Sequence, residues 1–234
     1  MIPIRRRTRL LHYLQSKPTS AAVEAIRNLR TSLLLPKHGP PPQVILSLSS
    51  LPSEGKTTNS IALAQNLVGI GKTVLLIEGD IRRSTFSEYF ETKGHKGLIS
   101  ATKLDATLGE IVLKDASFGA DILLGETADI NAADFFSSAE FATFMDAVRT
   151  RYDYVIIDSP PVLLVPDARI LARYADAVIF TVHWDKTSRQ SVVEALRLLG
   201  NVGQTVTGLV LSQINARAAK AQGYDIYGYG HGNR

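Results

Sequence analysis

Gly55, Lys56 and Thr57 follow Ser50-Leu51-Pro52-Ser53-Glu54, and Thr58 completes the stretch. It lies between an apolar run, Val44 to Leu48, and a helical pattern, Asn59 to Val68. A strand, a glycine-containing loop and a helix start aim several backbone N–H groups and the positive end of a helix dipole at one point, which suits a phosphate. Lys56 would then reach the β and γ phosphates as a point charge, and the Thr57 hydroxyl would hold a Mg²⁺ bridging them. Ser50 stands where the G-x-x-x-x-G-K-[ST] pattern begins with Gly, so the match departs at one residue. A chance Lys-Thr pair beside a Ser/Pro/Gly turn is the bland reading. The flanking strand and helix patterns weigh against it.

Two acidic strand ends offer a partner chemistry. The run Thr73-Val74-Leu75-Leu76-Ile77 ends in Glu78-Gly79-Asp80-Ile81-Arg82-Arg83, and Tyr154-Val155-Ile156-Ile157 ends in Asp158 followed by Ser159-Pro160-Pro161. Acids at the C-terminal ends of parallel strands lie on the edge where open α/β sheets bind ligands. Four hydrophobic residues and an aspartate form a Walker B pattern, in which the acid fixes Mg²⁺ directly or through water. A strand-end carboxylate can also be no more than a cap for the next helix.

These groups need a scaffold, and the remaining pattern supplies one. Strands are expected at Asp121 to Leu124, Ala177 to Val182 and Val206 to Leu211, with helices at Ser20 to Leu34, Ser137 to Thr150 and Ser188 to Leu199. Residues 84–120 read as irregular, with short helical pieces around Gly97 to Thr102 and Thr107 to Val112. The alternation predicts an α/β fold of the P-loop NTPase type, a mostly parallel central sheet with helices on both faces. The expected organisation is a basic leader over 1–18, one domain over 19–216 and a flexible tail over 217–234.

The 234 residues, 45% hydrophobic and 21% charged, suit one globular core and exclude wholesale disorder. The absence of cysteine excludes a disulfide scaffold and cysteine metal sites, and fits a reducing cytosol. No apolar run approaches the roughly 18 residues of a membrane span, and the N-terminus lacks a signal peptide's apolar core, so a soluble cytoplasmic chain is expected. The net charge of +4 is unevenly placed, with Arg5, Arg6, Arg7 and Arg9 in the first ten residues. They read as a solvated leader or as contacts to an anionic membrane surface. No aromatic interleaving or recognised module points to nucleic acid.

Glu24, Arg27 and Arg30 recur every three residues and share a helix face, which by itself reads as a surface ion pair. The chain's end alternates Gly223, Gly228, Gly230 and Gly232 with Tyr224, Tyr227 and Tyr229, three of its eight tyrosines. Such glycine density predicts a mobile segment with accessible hydroxyls.

The ordered set S-x-x-P-x-x-G-K-T-T, L-L-I-E-G-D-I-R-R and I-I-D-S-P-P, with the E-x-x-R-x-x-R helix and the C-terminal tyrosines, resembles the bacterial tyrosine kinases of capsule and exopolysaccharide synthesis. The resemblance spans about residues 20 to 229. It implies that Ser50 to Thr58 is the Walker A loop, with Ser53, Glu54, Gly55, Lys56, Thr57 and Thr58 holding nucleotide. Leu75 to Arg82 would be Walker A′ and Val155 to Asp158 Walker B. Lys56, Glu78, Asp80 and Asp158 would be catalytic, and Thr57, Asp80 and Asp158 the Mg²⁺ ligands. Glu24, Arg27 and Arg30 would build a homo-oligomeric ring, expected to be an octamer, in which each subunit phosphorylates its neighbour's Tyr224, Tyr227 and Tyr229. A membrane polysaccharide co-polymerase, fused or separate, would serve as activator at the inner face of the membrane.

Glu78 stands where the family usually has Asp, one methylene longer, and would accept or orient the tyrosine proton. Two other readings remain open on residues alone. A partitioning-type switch ATPase would carry a lysine where this chain has Leu51, and an inactive nucleotide-binding scaffold would transfer no phosphate. Residues Ser212 to Asn215 are adenine candidates from their place after the last strand.

Overall fold

The computed structural model describes residues 10, 12–14, 16–17, 19–92, 94–103, 108–126 and 128–221. Tyr224, Tyr227, Tyr229 and the four leader arginines lie outside them. In chain order the elements are α1 (Ala21–Leu34), β1 (Val44–Ser49), α2 (Lys56–Val68), β2 (Val74–Glu78), α3 (Leu98–Thr102), α4 (Leu108–Ile111), β3 (Leu113–Lys114) and β4 (Asp121–Leu123). There follow α5 (Ala132–Ser137), α6 (Ala139–Arg149), β5 (Tyr154–Asp158), α7 (Asp167–Leu171), β6 (Ala177–His183), α8 (Arg189–Gly200), β7 (Gly208–Ser212) and α9 (Ala216–Ala221).

The seven strands form one sheet in the order β3-β4-β2-β5-β1-β6-β7. All neighbours are parallel except β3, which pairs antiparallel with β4 at one edge. The central strands are apolar at nearly every position because both faces are covered. Leu46, Leu75, Ile157 and Phe180 pack on one side with Phe141, Val148, Leu171 and Leu199 of the helices. Ile45, Leu76, Ile156 and Ile179 pack on the other with Leu33, Ile61, Leu67 and Phe86.

Several boundaries differ from the periodicity. The helix expected at Ser137 to Thr150 is two helices, because Ser138 takes extended φ/ψ and caps α6 by accepting from Phe141 N. The last strand begins two residues later than expected, at Gly208. The expected tail, from residue 217, opens within helix α9. Among the described residues no helix is long and apolar enough to cross a membrane.

Register sets the site. Asp158 pairs with Glu78 on β2 and with Ser47 on β1, so β2 and β5 end level and β1 runs two residues further, to Ser49. β1 then runs into the phosphate loop and α2 begins at Lys56, three residues earlier than its periodicity announces.

Candidate active site

Gly55 is the N-cap of α2, in the left-handed region at φ 93°, and caps no amide with a side chain. The first turn of α2 contains no acid. Helix starts ordinarily recruit a capping oxygen or an acid, so the amides here remain available to an anion. A Cβ on Gly55 would meet Ser212 Cβ and Oγ at 3.2 Å, which reserves the position for glycine on both counts.

The loop is tied from outside. Glu54 is buried, and its carboxylate accepts from the Leu51 amide at 2.9 Å and from the Thr187 hydroxyl. Its carbonyl accepts from the Ser212 hydroxyl, and Gln213 Nε2 donates to Ser53 O at 2.8 Å. Among the described residues the three non-glycine positive φ angles are Ser53, Asp185 and Gln213, in this loop and the two loops that hold it. Strain of that kind persists where surrounding contacts over-determine it. The side chain of Glu54 therefore turns back into the loop, and any contact it makes to nucleotide would be through its backbone.

Lys56, Thr57 and Asp158 meet. Asp158 is 1% exposed; its Oδ2 accepts from Thr57 Oγ1 at 2.6 Å and its Oδ1 from Lys56 Nζ at 3.3 Å and Ser60 Oγ at 3.2 Å. Ser60 had no sequence signal beyond its place one helical turn after Lys56. The Thr58 hydroxyl faces Tyr89 OH at 3.3 Å.

The two acids of the β2 end part company. Asp80 is buried, with Oδ1 lacking any hydrogen-bond partner among the described residues, and it lies close enough to Lys56 for that charge to oppose the upward push of burial on its pKa. Glu78 is fully buried. Its Oε1 accepts from Phe86 N at 2.7 Å and Thr85 Oγ1 at 3.3 Å, and its Oε2 from Gly125 N at 2.8 Å. Both oxygens are thus spent on joining the loops after β2 and β4. The expectation that Glu78 receives the tyrosine proton meets a carboxylate already filled by backbone donors, whereas Asp80 has an open oxygen.

Burial pushes the Glu78 carboxyl up to about 7, with the two amides opposing and the Asp158 charge adding. An unfolded glutamate titrates near 4.5, so between there and about 7 the folded chain keeps a proton that the unfolded chain has lost. The contribution of this group to stability is full below about 4.5 and is lost as pH rises to about 7, by up to about 3 kcal/mol. Urea unfolding of the wild type and Glu78→Gln across pH 5 to 8 is expected to show this slope in the wild type alone.

The donor set fits Mg²⁺ with a nucleotide. Thr57, Asp80 and Asp158 are hard oxygen donors, Asp80 has an orphaned buried oxygen, and Mg²⁺ characteristically takes one or two carboxylates and completes its shell with water and phosphate. Among the described residues no group of three or more His, Cys, Asp or Glu could hold a metal alone.

The oligomerisation candidates lie elsewhere. Glu24 and Arg27 pair within α1, each about a third exposed, while Arg30 Nη1 reaches Asn66 O in the last turn of α2 at 3.4 Å. Asn66 is ten residues beyond Lys56, about 15 Å along the helix. The structure does not bring these three residues to the phosphate loop of their own chain.

A family model described as an AAA domain matches residues 53–211. The tyrosine-protein kinase CpsD of Streptococcus agalactiae is 30% identical over 216 residues, 92% of each chain. The chain belongs to the bacterial tyrosine kinase family. The solved kinase domain of VpsO superposes with a TM-score of 0.75 at 31% identity, covering 87% of this chain and all of that one. The putative tyrosine-protein kinase EpsB of Ralstonia nicotianae is 27% identical over 93% of this chain, which spans only 28% of EpsB's length. A bacterial tyrosine kinase domain of this kind is a P-loop nucleotide-binding fold, and the sheet and Lys56 loop described above are that fold's parts.

Proposed function

We propose that this domain transfers the γ-phosphoryl group of ATP to protein tyrosines, first of all Tyr224, Tyr227 and Tyr229 of a neighbouring subunit in an octameric ring. The carrying observation is the convergence of Lys56, Thr57 and Asp158 at the start of α2, beside an unpartnered Asp80 oxygen, in a chain of the tyrosine kinase family. The P–O bond to ADP breaks, a P–O bond to the phenol oxygen forms, and the phenol proton passes to a carboxylate. Asp80 is the acceptor, with Glu78 holding the loops that frame it.

Phosphoryl transfer needs positioning and charge neutralisation more than covalent chemistry. The α2 amides and Lys56 would hold the phosphates, and Asp158 would orient Thr57 and Lys56 before nucleotide arrives. Mg²⁺ at Thr57, Asp80 and Asp158 would neutralise charge on the β and γ phosphates. Glu24, Arg27 and Arg30 would form the ring contact. Their distance from their own loop supports action between subunits. A membrane polysaccharide co-polymerase would activate the domain at the inner membrane face, and the cycle would regulate capsule or exopolysaccharide polymerisation and export.

Intact mass with Mg-ATP tests the reading. Mass should rise in phosphate steps, and the Tyr224/Tyr227/Tyr229→Phe variant should gain none. Three phosphates would add roughly −4.5 to −6 charges to a tail that docks at an anionic site, so phosphorylation should dissociate the ring and the Phe variant should stay assembled. Sedimentation that does not distinguish the two forms would contradict the assembly model. Absence of mass gain with nucleotide turnover intact would favour a switch ATPase.

A further inference from the structure

The β2 end carries three charges within five residues, and the fold sends each to a different place. Glu78 is filled by the Phe86 and Gly125 amides. Arg82 makes a two-point contact to Asp167, with Nε to Oδ2 at 2.8 Å and Nη2 to Oδ1 at 3.3 Å. Asp80, between them, keeps an oxygen without a partner.

The Arg82–Asp167 pair is lopsided. The Asp167 side chain is 1% exposed, whereas that of Arg82 is 45% exposed. A half-exposed arginine needs no buried partner for its own solvation, and burying a carboxylate to meet it is weak evidence of stabilisation. The position of Asp167 suggests another use. It opens α7, and Leu171, one turn on and on the same helix face, would meet a Cβ placed on Gly79 at 3.1 Å. One face of α7 thus walls the 79–82 turn at two points. Gly79 N also donates to Asp158 O at 2.8 Å, and Arg83 N to Asp80 O at 3.2 Å, so the turn is held tightly around Asp80.

Without Asp167, the carboxylate nearest to Arg82 in sequence with an unfilled oxygen would be Asp80, in the same turn. The charge of Asp80 already acts on Arg82 from there, though less than Asp167 does. A guanidinium docked on Asp80 would engage the carboxylate whose two oxygens would serve, one the metal and the other the tyrosine proton. We infer that Asp167 is a positioning residue that sequesters Arg82 and thereby keeps Asp80 open. This rests on the phosphotransfer reading above for what Asp80 does, and it identifies α7 as part of the active-site wall.

The test uses the full chain in four forms: wild type, Asp167→Asn, Arg82→Gln and the double variant. Three quantities are read: the Mg²⁺-induced gain in ADP affinity by calorimetry, kcat at saturating Mg-ATP, and the thermal midpoint without nucleotide. Asp167→Asn releases Arg82 onto Asp80, and is expected to cut the Mg²⁺ effect and kcat by about tenfold or more, in the range seen for groups that orient metal ligands. Adding Arg82→Gln should restore both to within about threefold of wild type, since the competing cation is gone. Arg82→Gln alone should lower the midpoint, because Asp167 is left buried without its partner, and should retain more of the Mg²⁺ effect than Asp167→Asn.

A double variant as impaired as Asp167→Asn, or an Asp167→Asn protein with the full Mg²⁺ effect, overturns the inference. A wild type that transfers no phosphate overturns the kinase reading instead, and the Mg²⁺ effect on ADP affinity still decides the role of Asp167.

Discussion

Lys56→Met is expected to lower autophosphorylation by about 10²–10³-fold or more, the range lost when one fixed electrostatic donor to a transition state is removed. The side chain is 11% exposed and held at the start of α2, 3.3 Å from Asp158 Oδ1. Methionine keeps the stem's bulk and removes the charge. Asp158 would still accept from Thr57 and Ser60, so the variant should fold, at a cost of about 1–3 kcal/mol for the weakened buried network. Intact-mass time courses and a thermal melt check both halves. Phosphotransfer at near wild-type rate would remove Lys56 from the mechanism.

Asp80→Asn and Glu78→Gln should separate in opposite directions. Asn at 80 is nearly isosteric and spares a buried carboxylate whose pKa burial raises, so stability should hold or rise. Its activity should fall by about 10²–10⁴-fold, the range for loss of a general base. Gln at 78 must point its NH₂ at one of the N–H groups now accepted, Phe86 or Gly125, and stability should drop by about 1–3 kcal/mol at about pH 5, the difference narrowing toward about pH 8 as the wild type loses its own contribution. Its remaining activity should keep the wild-type pH profile. If Glu78→Gln instead abolished activity with stability and nucleotide affinity intact, Glu78 would be the base and Asp80 a metal ligand only. Paired denaturant unfolding and pH–rate curves discriminate these outcomes.

Glu24, Arg27 and Arg30 show how far local pattern reaches. Their shared face follows from helical period alone, and the Glu24–Arg27 pair is the bland i,i+3 contact the spacing announces. The proposal that they build a ring came from the ordered set of motifs, since one helix face does not specify a neighbour. The adenine candidates include two residues that touch the phosphate loop. Ser212 and Gln213 reach Glu54 O and Ser53 O, and so brace the phosphate loop.

By itself the sequence determined the parallel α/β sheet, the loop that starts α2, and the strand ends carrying Glu78, Asp80 and Asp158. Each is written in a short run whose period, glycine or terminal charge acts within a few residues. Tertiary structure decided what those groups do to one another. It filled Glu78 with backbone donors from two loops and left Asp80 open. It also clipped Glu54 to Thr187 and Ser212, 133 and 158 residues away, and drew Arg82 across 85 residues to Asp167. Burial and hydrogen-bond competition set those outcomes, and both depend on which distant segments the sheet order brings together, information that no local period contains.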